Sequence, residues 1–276
     1  MDIEVLISTM NQKDEKTAER LFENMHIKGK ATMINQITDI NIKSITKENG
    51  EKRIYSYYEK GLSKSRNIAM KKLKGDIGIF ADDDVIYNAN YQNIIKKAYK
   101  NYPDADIIAF YVASKTNDRP VRKQKTHHVN FITAMKIQSF QITFKKGITI
   151  EFDEKFGAGG KYNFGEENIW LYDCIKQGKK IYYINEQIGV VSHEKSTWYS
   201  EMNKNFLENE GAVLYRISKR YYIALILQYA LRKRTQYIKN ISTKNAIKYL
   251  FQGAKEYKNN KEDKKHSRKI NKKYGM

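Results

Sequence analysis

The chain has 276 residues, of which 41% are hydrophobic and 12% aromatic, enough to build a sizeable core, so global disorder is excluded. Its single cysteine, Cys174, excludes an internal disulfide framework and any multi-cysteine zinc or iron–sulfur site, and suits a reducing compartment. The formal net charge of +20 is uneven: from Asn203 onward 19 Lys and Arg face 5 Asp and Glu, which directs that end toward an anionic surface, either lipid or nucleic acid.

Along the first two-thirds, strand-like and helix-like segments alternate, the pattern of an α/β domain with a mostly parallel sheet. Met1 to Thr9 reads as a strand with an acidic flank rather than a leader segment, Glu4 to Ser8 being its apolar part. Lys13 to Met25 shows helical spacing in Ala18, Leu21, Phe22 and Met25. Ala31 to Asn35 and Arg53 to Tyr58 are the next strands. Ser63 to Lys72 is a helix with Ser63 as its N-cap. Asp76 to Ala81 is a buried strand, Tyr91 to Lys100 a helix and Asp106 to Tyr111 another strand.

Lys115 to His128 is polar and basic and carries Pro120, which predicts a mobile loop. Phe131 to Phe144 is expected to be a strand region, Glu166 to Lys176 a helix, and Lys180 to Ile184 and Ile188 to Ser192 two strands. Beyond Trp198 the texture changes to long helices: Asn203 to Ser218, Tyr221 to Arg232 and Thr243 to Tyr257. No stretch approaches the roughly 20 apolar residues of a membrane span. The expected organisation is an α/β domain over 1–200, a helical C-terminal extension over 201–258 and a basic, disordered tail over 259–276.

The chemistry concentrates at Asp82, Asp83 and Asp84, directly after the apolar run Ile77 to Ala81. In open α/β sheets ligands bind beyond the carboxyl ends of the strands. Three adjacent carboxylates repel one another, and a divalent cation offsets that repulsion. Oxygen-only ligands suit Mg²⁺ or Mn²⁺, which would take further ligands from water and substrate phosphates. The plainer reading is a solvated acidic turn.

Four segments in order and spacing carry a resemblance: Val5 to Asn11, Gly61 to Asn67, Gly75 to Asp84, and Phe152 through Glu167. Together they resemble the family 2 glycosyltransferases of GT-A fold across residues 3–195. The resemblance implies a Rossmann-like nucleotide-binding sheet flanked by helices, and inverting transfer from a nucleotide-sugar, a UDP-sugar in particular. Ser8 and Thr9 would touch the nucleoside. Lys64, Arg66, Asp82 and Asp83 would serve the base, ribose or phosphates. Asp84, with Asp82, would ligate the Mn²⁺ or Mg²⁺ of a DxD motif, and His193 would join them. Many relatives carry an aspartate after the second strand; here Asn35-Gln36 stands there, and an amide both donates and accepts.

Glu166 and Glu167 match the acidic pair that supplies the catalytic base, Glu167 taking the acceptor's proton and Glu166 binding acceptor or orienting the site. Two acids at a helix start also simply favour the macrodipole. Gly157, Gly159 and Gly160 suggest a flexible loop that lets substrate approach closely. Trp198 could stack on a sugar ring, whereas Trp170 reads as core.

The apolar segment Tyr221 to Leu231, followed by Arg232-Lys233-Arg234, has the pattern of an interfacial anchor on anionic lipid through 220–240, or of a helix packed on the catalytic domain with solvated charges. The implied acceptor is a saccharide or lipid-linked saccharide in cell-surface polysaccharide synthesis. The implied location is the cytoplasm or the inner face of the cell membrane. The competing reading is a basic nucleic-acid- or anionic-surface-binding protein without transferase activity. Against a nucleic-acid partner, the chain carries no helix-turn-helix, zinc-finger or RNP signature.

Overall fold

The structure, a computed structural model, describes residues 1–115, 121, 123–192 and 202–259. They divide into two compact units, one of 1–161 and 166–196, the other of 162–165 and the residues from 197 onward.

The first unit is built on one sheet. In chain order its elements are β1 (Ile3–Met10), α1 (Glu15–Asn24), β2 (Lys30–Gln36), β3 (Thr46–Lys47), β4 (Lys52–Tyr57), α2 (Leu62–Lys71), β5 (Ile77–Asp82), β6 (Val85–Tyr87), α3 (Tyr91–Asn101), β7 (Ile107–Ser114), β8 (His127–His128), α4 (Phe131–Ala134), β9 (Ile142–Lys145), α5 (Glu166–Lys176) and β10 (Ile181–Val191). The strand order is β3-β4-β2-β1-β5-β9-β7-β10-β6, with β8 also on β10. Strands β4, β2, β1 and β5 run parallel, as do β7 and β10, while β9 is inserted antiparallel between β5 and β7. The carboxyl ends of β1, β2 and β5 therefore open on the same edge.

Fully buried strands read as near-continuous apolar runs, and β1 and β5 do: Val5, Leu6 and Ile7 of one and Ile77, Ile79, Phe80 and Ala81 of the other are buried. One face of the sheet packs Phe22 and Met25 from the α1 region with Tyr91 and Ile95 of α3. Elsewhere in the unit Phe80, Phe144, Phe152 and Trp170 form an aromatic cluster, and the Trp170 indole N–H donates to the Ile150 carbonyl at 2.7 Å. At the end away from the strand tips, buried Glu4 is saturated by Thr32, the Lys74 and Gly75 amides and Arg53. Burial raises its pKa, but those donors outweigh burial and hold it below the ordinary value.

Three expectations about elements change. Phe131 to Phe144 is not one strand: Asn130 and Thr133 cap each other reciprocally and start the single turn of α4, a 3₁₀ turn follows at Ser139–Gln141, and only Ile142–Lys145 pairs. The two strands placed at 180–192 are one, β10, whose register shifts on either side of the exposed Gln187. Ser63 is not a cap: Gly61, at φ +142°, occupies that position, and the Ser63 hydroxyl donates to the Phe156 carbonyl at 2.6 Å. The basic loop at 115–128 lies partly outside the described residues, as do the tail expected over 259–276 (beyond Asn259) and Trp198.

The second unit contains α6 (Lys204–Ile217), α7 (Tyr222–Arg232), α8 (Arg234–Tyr237) and α9 (Thr243–Asn259). Its core gathers Leu207, Leu214, Ile226, Tyr229, Ala230, Tyr237 and Leu250. Gly211 and Gly253 let α6 and α9 cross with their backbones in contact, because a Cβ on Gly253 would stand 1.7 Å from the Glu208 carbonyl oxygen. No helix among the described residues is long and apolar enough to cross a membrane.

Candidate active site

Parallel pairing makes neighbours of residues far apart in sequence. Ser8 lies opposite Asp82, Thr9 opposite Asn35 and Met10 opposite Gln36. The Thr9 hydroxyl donates to Asp83 Oδ2 at 2.8 Å and accepts from Gln12 Nε2 at 3.0 Å, tying the tip of β1 to the acidic turn. Ser8 accepts from the Ser65 hydroxyl at 2.8 Å, which fixes the start of α2 against the same tip.

Asn35 and Gln36 are both buried, and their amides are engaged inside the protein. Asn35 Oδ1 accepts from the Gln12 amide at 2.9 Å, while its Nδ2 donates to the Gln12 carbonyl and the Ser56 hydroxyl, each at 3.1 Å. Gln36 Oε1 accepts from the Gly61 amide at 2.6 Å. In this arrangement they shape the loops at 11–12 and 60–61 rather than present an open amide edge.

Arg66 is the centre of the constellation. The residue is 2% exposed, and its guanidinium is turned inward. Nη1 donates to Glu166 Oε1 at 2.7 Å, and Nη2 donates to Asp82 Oδ1 at 3.0 Å and to the Ser139 hydroxyl at 2.8 Å. The plane also lies over the Phe152 ring at 5.6 Å. Burial disfavours its charge, but Asp82, Glu166 and Glu167 outweigh that and raise its pKa further above the ordinary value. Lys64 points elsewhere, its ammonium lying 3.8 Å from Glu59.

The acidic pair opens α5. Glu166 is buried against Arg66, whereas Glu167 is only half-buried. Burial, then the Glu166 charge, pushes the Glu167 carboxyl up to about 8, with Arg66 pulling the other way. The glycine loop before this pair packs closely on the protein itself: a Cβ on Gly157, at φ +96°, would lie 3.0 Å from Glu166 Cδ.

On the α1 side of the acidic turn a cavity of about 290 Å³ is lined by Asp83, Asp84, Gln12, Thr17, Arg20 and Asn24, among others. An adjoining cavity shares Asp83 and Asp84 and adds Lys115. Arg20, Asn24 and Lys115 were missed in the sequence because each reads there as an ordinary solvated side chain. Thr17, Arg20 and Asn24, however, recur at three and four residues and so share one helix face. Asp82 and Asp84 are hard oxygen donors of the kind Mg²⁺ and Mn²⁺ accept. Among the described residues no group of three or more His, Cys, Asp or Glu is placed to hold a metal ion by itself. His193, the third ligand expected, lies outside the described residues.

Residues 38–165 match the family described as glycosyl transferase family 2. No curated protein matches the chain in sequence. Among solved structures, S. aureus TarS 1-349 is similar over 92% of this chain and 81% of its own, with a TM-score of 0.61 at 13% identity. The same TarS fragment in complex with UDP-GlcNAc gives a TM-score of 0.59 at 14% identity over the same shares, 92% and 81%. The mannosyltransferase PcManGT from Pyrobaculum calidifontis, in complex with GDP-Man and Mn²⁺, covers 94% of this chain and 88% of its own with a TM-score of 0.52 at 11% identity. Residues 38–165, just under half of the chain, thus resemble the family 2 glycosyltransferases, and the fold is the GT-A fold of the glycosyltransferase structures it matches.

Proposed function

We propose that the enzyme transfers a sugar, with inversion, from a nucleoside-diphosphate sugar to a saccharide or lipid-linked saccharide acceptor in cell-surface polysaccharide synthesis, with Mn²⁺ or Mg²⁺ as cofactor. The observation that carries this reading is the split of the acidic turn. Asp82 turns to Arg66 and the Glu166–Glu167 pair, while Asp83 and Asp84 line a cavity that also holds the cation Arg20.

A bound divalent cation would supply charge neutralisation of the donor diphosphate, with Asp84 and the free oxygen of Asp82 as its protein ligands. Arg20 and Lys115 offset the remaining phosphate charge. Glu167, once deprotonated, accepts the proton of the acceptor hydroxyl as that oxygen bonds to the anomeric carbon. The bond from that carbon to the diphosphate oxygen breaks, and the nucleoside diphosphate leaves with the electron pair. Arg66 orients this machinery by holding Glu166 and Asp82, and Ser8 and Thr9 set the floor near the nucleoside. The complexes of TarS with UDP-GlcNAc and of PcManGT with GDP-Man and Mn²⁺ support a nucleoside-diphosphate sugar and a divalent cation here. A UDP-sugar is the donor we favour. The reading as a basic binding protein without transferase activity is not retained.

The test incubates the protein with Mn²⁺ and a panel of UDP-, GDP- and dTDP-sugars and measures nucleotide release, beside Asp84→Ala and a chelator control. Release from a UDP-sugar, lost in both controls, is expected. No release together with no binding of any donor in the presence of metal would overturn the proposal.

A further inference from the structure

We propose that α7 docks the protein on an anionic lipid bilayer through one defined face, an inference independent of the transferase chemistry. The helix is apolar on two sides. Ile226, Tyr229 and Ala230 are buried in the core of the second unit. The other side is bare: Tyr221 is 58%, Ile223 50%, Leu227 42% and Leu231 66% exposed. Ile223, Leu227 and Leu231 recur every four residues and form one stripe roughly 12 Å long at 1.5 Å per residue. Among the described residues, packing thus leaves the Ile223, Leu227 and Leu231 half of the helix substantially exposed.

Charge decides what covers the other half. From Lys219 to Lys239 the sequence holds six cations, Lys219, Arg220, Arg232, Lys233, Arg234 and Lys239, and no Asp or Glu. They sit before and after the apolar stripe rather than within it. The Arg220 guanidinium lies over the Tyr221 ring at 5.2 Å, pairing a cation with an amphipathic aromatic at the stripe's leading end. An apolar stripe bracketed by cations at both ends, with an aromatic at its border, matches the layering of an anionic membrane: acyl chains under the stripe, phosphates against the cations. A second copy of this chain would bring six like charges against six, which disfavours self-association through this face. No helix among the described residues is able to span, so the attachment proposed for α7 lies in the plane of one leaflet.

The experiment uses the full chain with phosphatidylcholine vesicles, with and without phosphatidylglycerol, at low and high salt. Binding to the anionic vesicles at low salt, released by high salt, is expected. Leu227→Ser/Leu231→Ser and Arg232→Gln/Arg234→Gln should each weaken it on the order of tenfold or more. Leu227 and Leu231 are exposed, so the leucine variant should melt with the parent. Arg232 also lies over the buried Tyr229 ring at 5.7 Å, so the charge variant is compared at a temperature where it and the parent are both folded. The charged residues beyond Asn259 remain in both variants, so undiminished binding by the leucine variant would locate attachment there and overturn the proposal. Failure to bind anionic vesicles would do the same, as would oligomers that disappear with the leucine substitutions.

Discussion

Arg66 Nη1 and Glu166 Oε1 lie 2.7 Å apart with both side chains withdrawn from solvent, joining residues a hundred positions apart. The pair links α2 to α5, and the second guanidinium nitrogen extends the link to Asp82 at the tip of β5. One cation thereby sets the relative positions of the acidic turn and the acidic helix start.

Removing one partner of such a pair strands the other charge in a poorly solvated place, which costs about 3–5 kcal/mol. Arg66→Ala is therefore expected to lose stability of that order in urea unfolding and to lose nucleotide release as well. Arg66→Met/Glu166→Gln removes both charges and should recover much of the stability but none of the turnover. A double variant as unstable as Arg66→Ala would show that the pair's electrostatics are not what the single substitution disturbs.

Asp84 should separate from Asp82 in its phenotype. Asp82 shares Arg66, so Asp82→Asn is expected to lower both melting temperature and turnover. Asp84 lines the cavity away from that cation. Asp84→Asn should cut kcat by about 10²–10³, the usual cost of losing a group that stabilises developing charge, and should raise the Mn²⁺ concentration needed for half-maximal rate. An unchanged metal dependence would remove Asp84 from the ligand set.

The acidic turn was legible because an apolar run, Ile77 to Ala81, ends abruptly in three carboxylates, a local signal that also fixes the strand end. Arg66 was legible as a charged residue at a helix start, but its bond to Glu166 was not, since only the tertiary fold brings the two together. Asn35 and Gln36 show the same limit: their place at the end of β2 could be read, yet apart from the Asn35–Ser56 bond their amides bond the backbone of Gln12 and Gly61, for which no residue pattern exists. The 131–144 segment was misread because an apolar composition outweighed the short Asn130–Thr133 capping signal.

Glu167 predicts a pH dependence with a definite sign. A carboxyl pushed up to about 8 in the folded protein is largely protonated at neutral pH and cannot yet accept the acceptor's proton. Turnover should therefore rise with pH on a limb near 8, and Glu167→Gln should abolish both turnover and limb. Stability runs the other way. Between the ordinary carboxyl value of 4.5 and about 8 the folded state holds a proton that the unfolded chain has lost, so stability falls as pH rises through that window. Melting temperatures of the parent minus those of Glu167→Gln, measured across it, should decline with pH; a flat difference would mean the carboxyl titrates normally.

The crossing of α6 and α9 gives a prediction opposite to helix propensity. Gly→Ala inside a helix ordinarily stabilises by about 0.5–1 kcal/mol. At Gly253 the added Cβ would meet the Glu208 carbonyl oxygen at 1.7 Å, and at Gly211 it would meet the Leu250 carbonyl oxygen at 1.9 Å. Both obstacles are backbone, so no rotamer change relieves them and the helices must separate. Overpacking costs about 1–3 kcal/mol even where side chains can yield, and each substitution is expected to exceed that range, with the double variant failing to hold the second unit together. Thermal and urea unfolding of Gly253→Ala provides the check. A variant as stable as the parent would mean that the two helices do not meet backbone to backbone at these glycines.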